Sequence, residues 1–165
     1  MSAARTPAAP SEAGPAGAIV LRPGGPQDLD AANAVILRAI RTWDLPERVK
    51  RLSEPLYQYK AADIEVLELV LAEREGRVAG VAAWEPASPE DTPGDRSALL
   101  LHGIYVDPGA AGSGVGTRLL EAARDAARRR GLDGLLVKAQ RGAEGFFLAR
   151  GFERVPVSDP RRDYP

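Results

Sequence analysis

The chain of 165 residues contains no cysteine. This absence excludes disulfide bonds, metal sites with thiolate ligands and a cysteine nucleophile. Histidine is scarce too, because His102 is the only one in the sequence. A histidine-rich metal site and a Ser-His-Asp triad are therefore both disfavoured, and we expect no metal site.

Two further absences concern charge and hydropathy. The 22 basic and 23 acidic residues give a formal net charge of −1, so the chain has no basic excess for binding nucleic acid. No apolar run approaches about 20 residues, the length that a membrane-spanning helix requires. The first residues also lack the basic region and apolar core of a secretory signal. We therefore predict a cytoplasmic protein with no membrane or nucleic-acid partner.

The length is typical of one domain with a complete hydrophobic core. Residues 1–18 are rich in alanine, proline, glycine and serine and contain almost no large apolar residue. Such a segment cannot bury enough surface to offset its conformational entropy, so we predict that it is a disordered tail. Residues 19–165 are predicted to form the single domain.

Glycine is concentrated in one short segment. A strand-like run over 99–106 stops before Pro108, a glycine-rich loop follows, and an amphipathic helix begins near Val115. Glycine lets backbone N–H groups approach a ligand closely, and the first N–H groups of a helix attract anions. A strand, a glycine loop and a helix start in this order predict a phosphate-binding site.

Spacing separates three interpretations of this loop. A nucleoside-triphosphate loop requires a lysine directly after its second glycine, but Val115 follows Gly114. A dinucleotide fingerprint requires a third glycine, and Thr117 occupies its place. The third interpretation fits better, because Val106-Asp107-Pro108 followed by Gly114-Val115-Gly116 resembles the acyl-CoA loop of the Gcn5-related N-acetyltransferases (the GNAT superfamily).

A second motif supports the same resemblance. Residues 143–152, Ala-Glu-Gly-Phe-Phe-Leu-Ala-Arg-Gly-Phe, are similar to the closing motif of the family. Arg22-Pro23 followed by Asp28 also resembles its opening strand and acidic helix cap, so Asp28 is the predicted N-cap. Two separated motifs in the expected order are more specific than one, and the resemblance covers roughly residues 21–155.

The resemblance implies an α/β (α+β) fold, with a mixed central sheet of about six to seven strands flanked by about four helices. The predicted strands are 19–22, 64–74, 77–84, 99–106 and 135–137, and the strand at 64–74 depends on the family because its composition favours a helix. The predicted helices are 29–40, 47–59 and 115–130, with a hairpin turn at 75–76. The residues after 152 do not resemble a closing strand, and an open sheet edge would favour a homodimer.

In this family the parallel strands, here 99–106 and 135–137, splay apart and the acyl-CoA donor lies between them. Its pantetheine arm would pair with the backbone of 99–106 like an added strand, and the loop would hold its pyrophosphate. The resemblance thus implies acetyl-CoA, or another acyl-CoA, as the cofactor. The residues that it assigns to cofactor binding are Ile104, Val106, Ala111, Gly112, Ser113, Gly114, Val115, Gly116, Thr117, Gln140, Phe146 and Phe147.

Three of these residues depart from the family pattern. Ala111 replaces a glutamine or arginine that helps to hold the pyrophosphate, and Gln140 replaces an asparagine that contacts the cofactor. Phe147 replaces a tyrosine that protonates the departing CoA thiolate, and a phenylalanine has no proton to donate. The remaining candidates for the proton donor are Tyr105, Ser113, Tyr164 and water.

The resemblance implies N-acetylation of a primary amine, on a small molecule or a peptide, by direct attack on the thioester. The candidates for deprotonating the amine are His102 and Glu85, and Tyr105 completes the predicted catalytic set. Two alternatives stay open. An acyl-CoA-binding module that regulates without turnover would explain the departures at Ala111 and Phe147, and a nucleotide-binding βαβ protein is the other.

Overall fold

The computed structural model describes residues 17–140 and 142–156. Its strands are β1 (Ile19–Pro23), β2 (Glu68–Arg74), β3 (Arg77–Pro86), β4 (Ala98–Val106) and β5 (Gly134–Val137). Its helices are α1 (Leu29–Arg41), α2 (Glu47–Tyr57), α3 (Val115–Arg129) and α4 (Glu144–Leu148). Short 3-10 turns cover Pro26–Asp28, Asp63–Glu65 and Pro108–Ala110. Residues 1–16 of the predicted tail lie outside the described residues.

The strands form one mixed sheet in the order β1-β2-β3-β4-β5. The first four pair antiparallel, whereas β4 and β5 pair in parallel and are joined by α3. This arrangement confirms the predicted mixed sheet with a parallel pair. The described part of the chain forms five strands rather than six or seven, because the residues described after α4 form no strand. Residues 157–165, where a closing strand was in question, lie outside the described residues.

Helices cover both faces of the sheet. On β3, Ala82 and Trp84 pack on the face covered by α3, whereas Val81 and Ala83 pack on the face covered by α1. This alternation is the period-two pattern of a strand that is buried on both sides. Tyr105 of β4 belongs to the α1 side, where it packs with the apolar stripe of α1.

Three predicted boundaries are wrong by two residues or more, and one of them is the end of β3, which was predicted at residue 84 and lies at Pro86. The strand predicted from residue 64 begins at Glu68, because Asp63 starts a 3-10 turn instead. The Asp63 carboxylate accepts a hydrogen bond from the Lys60 N–H (2.7 Å), and its carbonyl accepts one from the Leu67 N–H (2.8 Å). Such local bonds compete with strand pairing. The helix predicted over 47–59 ends at Tyr57, two residues after Pro55.

Asp28 occupies the predicted N-cap position of α1, but its carboxylate does not cap that helix. It accepts hydrogen bonds from the Gly25 N–H (2.9 Å) and from the Arg22 guanidinium (2.8 and 3.0 Å). Arg22 also pairs with Glu73 of β2 at 2.7 Å. The hydrogen bond from Arg22 lowers the pKa of Asp28 below its usual value. This network holds β1 and the turn before α1 on the sheet.

Candidate active site

β4 and β5 separate beyond the pair Leu101–Val137. β4 then continues to Val106 alongside β3, and within the described residues no strand pairs with its other edge. Ile104 and Val106, whose backbone was predicted to bind the cofactor, both lie in this open part. A free strand edge of this kind is suited to an extended ligand that hydrogen-bonds like an added strand.

β4 has a β-bulge in its pairing with β3, at the point where it separates from β5. Ala83 of β3 pairs with Gly103, whereas the next residue, Trp84, pairs with Leu101. His102 is therefore the extra residue of β4 and has no partner on β3. Bulges release backbone groups from the regular ladder and redirect a side chain. The sequence identified His102 as a candidate base, but it did not predict this bulge.

The loop after β4 is fixed by Asp107. Its carboxylate accepts a hydrogen bond from the Gly109 N–H (2.9 Å) and from Arg38 Nε of α1 (2.7 Å), while its own N–H donates to the Ala79 carbonyl (2.8 Å). Burial opposes ionisation, but these hydrogen bonds outweigh it and lower the pKa of Asp107. The loop therefore leaves the sheet in a direction set by β3 and α1.

The loop ends in a left-handed glycine at the start of α3. Gly114 has φ +89° and ψ 0°, a conformation that costs a residue with a Cβ roughly 1–2 kcal/mol. The first intrahelical bond of α3 joins the Arg118 N–H to the Gly114 carbonyl, so the N–H groups of residues 115–117 have no acceptor inside the helix. No side chain of the described residues caps this end. These N–H groups lie at the positive end of the helix dipole, which is where sequence analysis expects the pyrophosphate, and that assignment stays a prediction.

Ala111 and Ser113 contribute little polar chemistry to the loop. Ala111 is exposed and has only a methyl group. Ser113 Oγ donates a hydrogen bond to the Ala110 carbonyl at 2.6 Å, so its proton is already engaged within the loop. Tyr164, another candidate proton donor, lies outside the described residues. An anion in this loop would therefore have chiefly backbone groups to bind.

His102 and Glu85 form a pair. His102 Nε2 lies 2.7 Å from Glu85 Oε1, and the two side chains are 34% and 32% exposed. The sequence offered them as separate candidates for the base, 17 residues apart, and the sheet brings them together. A carboxylate at this distance holds an imidazole in one orientation. The arrangement can take a proton from an amine next to the opening.

Tyr105 lies against the strand beside the same opening. A Cβ atom on Gly103 would come within 2.8 Å of the Tyr105 ring and 2.9 Å of its hydroxyl oxygen, so glycine at 103 is what lets the ring pack there. Burial, together with the nearby Tyr59 and Tyr57, raises the pKa of Tyr105 above its usual value. Its hydroxyl forms no hydrogen bond with the described residues. No other described residue therefore engages the phenol proton, although the raised pKa makes the phenol a weaker acid.

An aromatic cluster closes the α1 side of the opening. Tyr57 of α2 meets Trp43 edge-on, with ring centroids 5.2 Å apart, and its centroid lies 6.4 Å from that of Tyr105. Gln140 Nε2, which follows β5, donates a hydrogen bond to the Tyr57 hydroxyl. This bond links the two sides of the opening. Sequence analysis did not predict this contact of Tyr57, because it joins residues 83 positions apart.

The residues of α4 pack on the α3 side. Phe147 is buried and meets Phe146 and Phe152 edge-on, at centroid distances of 5.2 and 5.3 Å. Arg150, which sequence analysis also missed although it lies within the closing motif, donates to Thr117 Oγ1 (3.0 Å) and stacks on Phe146 at 3.8 Å. Arg150 thereby ties α4 to the first turn of α3. The cofactor contacts predicted for Phe146, Phe147 and Thr117 stay predictions.

The described residues contain neither a membrane-spanning helix nor a metal cluster. No helix there is long and apolar enough to cross a bilayer. No group of three or more histidine and acidic side chains in residues 17–140 and 142–156 is arranged to hold a metal ion.

Several solved structures share this architecture. A GCN5-related N-acetyltransferase from Ralstonia eutropha superposes with a TM-score of 0.67 at 16% identity, over 86% of this chain and 95% of that one. A predicted acetyltransferase from Clostridium acetobutylicum, solved with acetyl-CoA, gives 0.60 at 16% identity, over 84% and 92%. A GCN5-related N-acetyltransferase from Rhodopseudomonas palustris gives 0.65 at 28% identity, over 80% and 79%.

Sequence comparison gives the family directly. No curated protein matches the chain at the level of sequence. The model of the acetyltransferase (GNAT) family matches residues 37–152, which run from α1 through β4, the glycine loop and α3 to the end of the closing motif. The matched part includes the strand separation, the bulge and the loop described above, and it is more than half of the chain. The chain therefore belongs to the GNAT acetyltransferase family.

Proposed function

We propose that the protein transfers the acetyl group of acetyl-CoA to a primary amine by direct attack, without a covalent enzyme intermediate. The observation that carries this proposal is the separation of β4 from β5 immediately before a glycine loop and a helix start. A free strand edge and an anion site are adjacent there. These are the two features that a long, phosphorylated thioester requires.

The backbone supplies the donor-binding groups in this proposal. The edge of β4 around Ile104 and Val106 would bind the pantetheine amides, and the N–H groups from Gly112 to Thr117 would bind the pyrophosphate. The acetyl-CoA in the Clostridium acetobutylicum structure supports this choice of donor. Acetyl-CoA, when bound, supplies a thioester carbonyl that an amine can attack. N–H groups freed at the bulge would stabilise the charge that develops on its oxygen.

The proton transfers fall to three side chains. The attacking nitrogen forms the new bond to the carbonyl carbon and loses its proton to His102, which Glu85 orients. The C–S bond then breaks, and the sulfur takes a proton from Tyr105 or from water. A thiolate is a tolerable leaving group, so this second transfer contributes less than the first. The acceptor is a small molecule or a polypeptide.

A steady-state assay of CoA release over a panel of amines tests the proposal. Release that depends on both acetyl-CoA and an amine, with the acetylated amine detected by mass spectrometry, would support it. Two features favour a second candidate, an acyl-CoA-binding module without turnover. Phe147 is buried and has no hydroxyl, and Ala111 gives the loop no polar side chain. Acetyl-CoA binding without release for any amine would favour that module and contradict the enzyme.

A further inference from the structure

The helix α2 is amphipathic, but its apolar face is exposed and its polar face is turned toward the protein. Val49, Leu52 and Leu56 recur at a spacing of three and four residues, so they share one face of the helix, and they are 42%, 67% and 82% exposed. No residue of α2 is buried. Exposed aliphatic side chains aligned on one helix face are the usual sign of an interaction surface. We call these three residues the outer stripe.

The opposite face of α2 is the polar one, although it is turned toward the protein. The Lys50 ammonium donates to the Arg41 carbonyl (3.0 Å) and to Glu47 (2.9 Å), and its side chain is only 12% exposed. Glu54, 22% exposed, pairs with Arg41 at 3.2 Å. A surface helix that only stabilised the fold would bury its leucines and expose its charges. Stability within this chain therefore does not account for the outer stripe.

Two arginines border the outer stripe. Arg48 lies four residues before Leu52 and three residues before Arg51. Arg48 and Arg51 therefore lie along the same side of the helix. Both residues are exposed, and neither forms a hydrogen bond or an ion pair with the described residues. The surface thus combines an apolar stripe with two exposed cations: Arg51 interacts electrostatically with Glu47, whereas Arg48 has no carboxylate partner among the described residues.

We propose that the outer face of α2 docks an acidic, amphipathic segment of another protein. The leucines would pack into its apolar side, and Arg48 and Arg51 would pair with its carboxylates. The inference is independent of acetyl transfer, because it depends on neither the glycine loop nor the pair of His102 and Glu85. It adds a partner surface next to the aromatic cluster around Tyr57, which lies on the inner side of the same helix.

A second copy of the chain fits this face less well. The two carboxylates of α2, Glu47 and Glu54, already form ion pairs with Lys50 and Arg41. An antiparallel α2 pair would also bring the arginine borders of both copies to the same side, where like charges repel. An anionic membrane offers negative charge, but interfacial helices usually present a longer apolar face than three residues, and the chain's net charge is −1.

The test measures docking directly with defined probes. A fluorescein-labelled peptide of about 15 residues, with leucines at helical spacing and glutamates along one border, is titrated with the full-length protein in a fluorescence anisotropy assay. We expect saturable binding that weakens as salt is added, because the charge pairs are screened. A matched peptide with lysine in place of glutamate should bind at least about tenfold more weakly.

Variants locate the site and test its charge. The double substitution Leu52→Ser with Leu56→Ser should weaken binding about tenfold or more, since exposed leucines can be removed without loss of fold. Arg48→Glu with Arg51→Glu should invert the preference, so that the lysine peptide becomes the tighter ligand. Val20→Ser changes an apolar side chain on β1 that is also about half exposed, and it should leave binding unchanged. Acetyl-CoA binding, measured in parallel, should be the same in all of these proteins.

Several outcomes would overturn the proposal. The first is no binding of the glutamate peptide up to about 1 mM, and the second is binding that the leucine and arginine substitutions leave intact. Flotation of the protein with phosphatidylserine vesicles that the leucine substitutions abolish, without peptide binding, would assign the face to a membrane. A dimer in sedimentation that the same substitutions dissociate would assign it to a second copy. A failure to bind acetyl-CoA would instead contradict the proposed function alone.

Discussion

His102 Nε2 and Glu85 Oε1 lie 2.7 Å apart, on adjacent strands, at the bulge where β4 leaves β5. The register of β3 and β4 brings these side chains together without help from any loop. Because the bulge removes His102 from the β3 ladder, the pair lies next to the open strand edge. This position makes the pair the best candidate for receiving the proton of an attacking amine.

Replacing the imidazole tests that role. His102→Gln should lower kcat about 100-fold at saturating acetyl-CoA, because a general base typically contributes 100-fold or more. Glu85→Gln keeps the hydrogen bond but not the charge, so we expect a smaller loss of about tenfold. The measurement is steady-state CoA release, with acetyl-CoA affinity by calorimetry as the control. Wild-type turnover in His102→Gln would remove this residue from the mechanism.

The hydroxyl of Tyr105 is the second catalytic prediction. Tyr105→Phe removes only the oxygen, which has no hydrogen-bond partner among the described residues, so stability should change by less than about 1 kcal/mol. If this hydroxyl protonates the thiolate, kcat should fall about tenfold or more while acetyl-CoA affinity stays constant. The two quantities are measured by turnover and by calorimetry. An unchanged kcat would exclude Tyr105 and leave Tyr164 or water as the proton donor.

Phe147→Tyr is the complement of Tyr105→Phe. It adds a hydroxyl at the position where the family pattern has a tyrosine. In this structure Phe147 is buried between Phe146 and Phe152. A hydroxyl introduced there without a partner should cost about 1–3 kcal/mol in urea unfolding and give no gain in turnover. A faster variant would show that Tyr105 does not replace the missing group.

The glycine loop is tested by two substitutions that impose the same backbone strain. Gly114 and Gly131 flank α3 and both have positive φ, +89° and +66°. Alanine at either position should cost about 1 kcal/mol of stability. A Cβ at Gly114 would point into space where its nearest neighbour is Ile19 Cδ1 at 4.0 Å, the space in which we expect the pyrophosphate. Only Gly114→Ala should weaken acetyl-CoA binding, by about tenfold or more. Equal affinities in both variants would contradict the loop assignment.

A pH dependence follows from Asp28. Its folded-state pKa is lowered by the hydrogen bond from Arg22, so its contribution is complete above the unfolded pKa of about 3.9 and disappears as the pH falls through the folded value. Asp28→Asn should therefore lose about 2 kcal/mol at pH 7 and progressively less below pH of about 4. Urea unfolding at both pH values checks this, with the exposed Asp30→Asn as control. A deficit that does not change with pH would exclude the ion pair as its cause.

Local sequence predicted the parts of the site that depend on consecutive residues. The run from Val106 to Gly116 specifies a strand end, a loop and a helix start within one segment, so it was recognisable without a structure. The strand predicted from residue 64 was wrong over 64–67. That prediction depended on the family resemblance, which does not specify the hydrogen bond from the Lys60 N–H to the Asp63 carboxylate that fixes this turn.

Contacts between residues that lie far apart in the sequence could not be predicted from it. The hydrogen bond from Gln140 to Tyr57 and the salt bridge from Arg38 to Asp107 depend on how α1 and α2 lie across the sheet. The inverted amphipathicity of α2 is similar. The apolar spacing of Val49, Leu52 and Leu56 predicts a helix, and the same pattern is compatible with either face being buried. The hydrogen bond from the Lys50 ammonium to the Arg41 carbonyl turns the polar face toward the protein, so the apolar face is the exposed one.

Thermal stabilisation of the 165-residue protein by acetyl-CoA, with CoA, NAD and ATP as comparators, tests most directly which ligand the opening binds. The open edge of β4 and the loop at Gly114 predict stabilisation by acetyl-CoA and CoA, worth about 2.7 kcal/mol at a hundred times the dissociation constant, and none by NAD. Stabilisation by NAD or ATP alone, or by none of the four ligands, would contradict the conclusion that this opening binds an acyl-CoA.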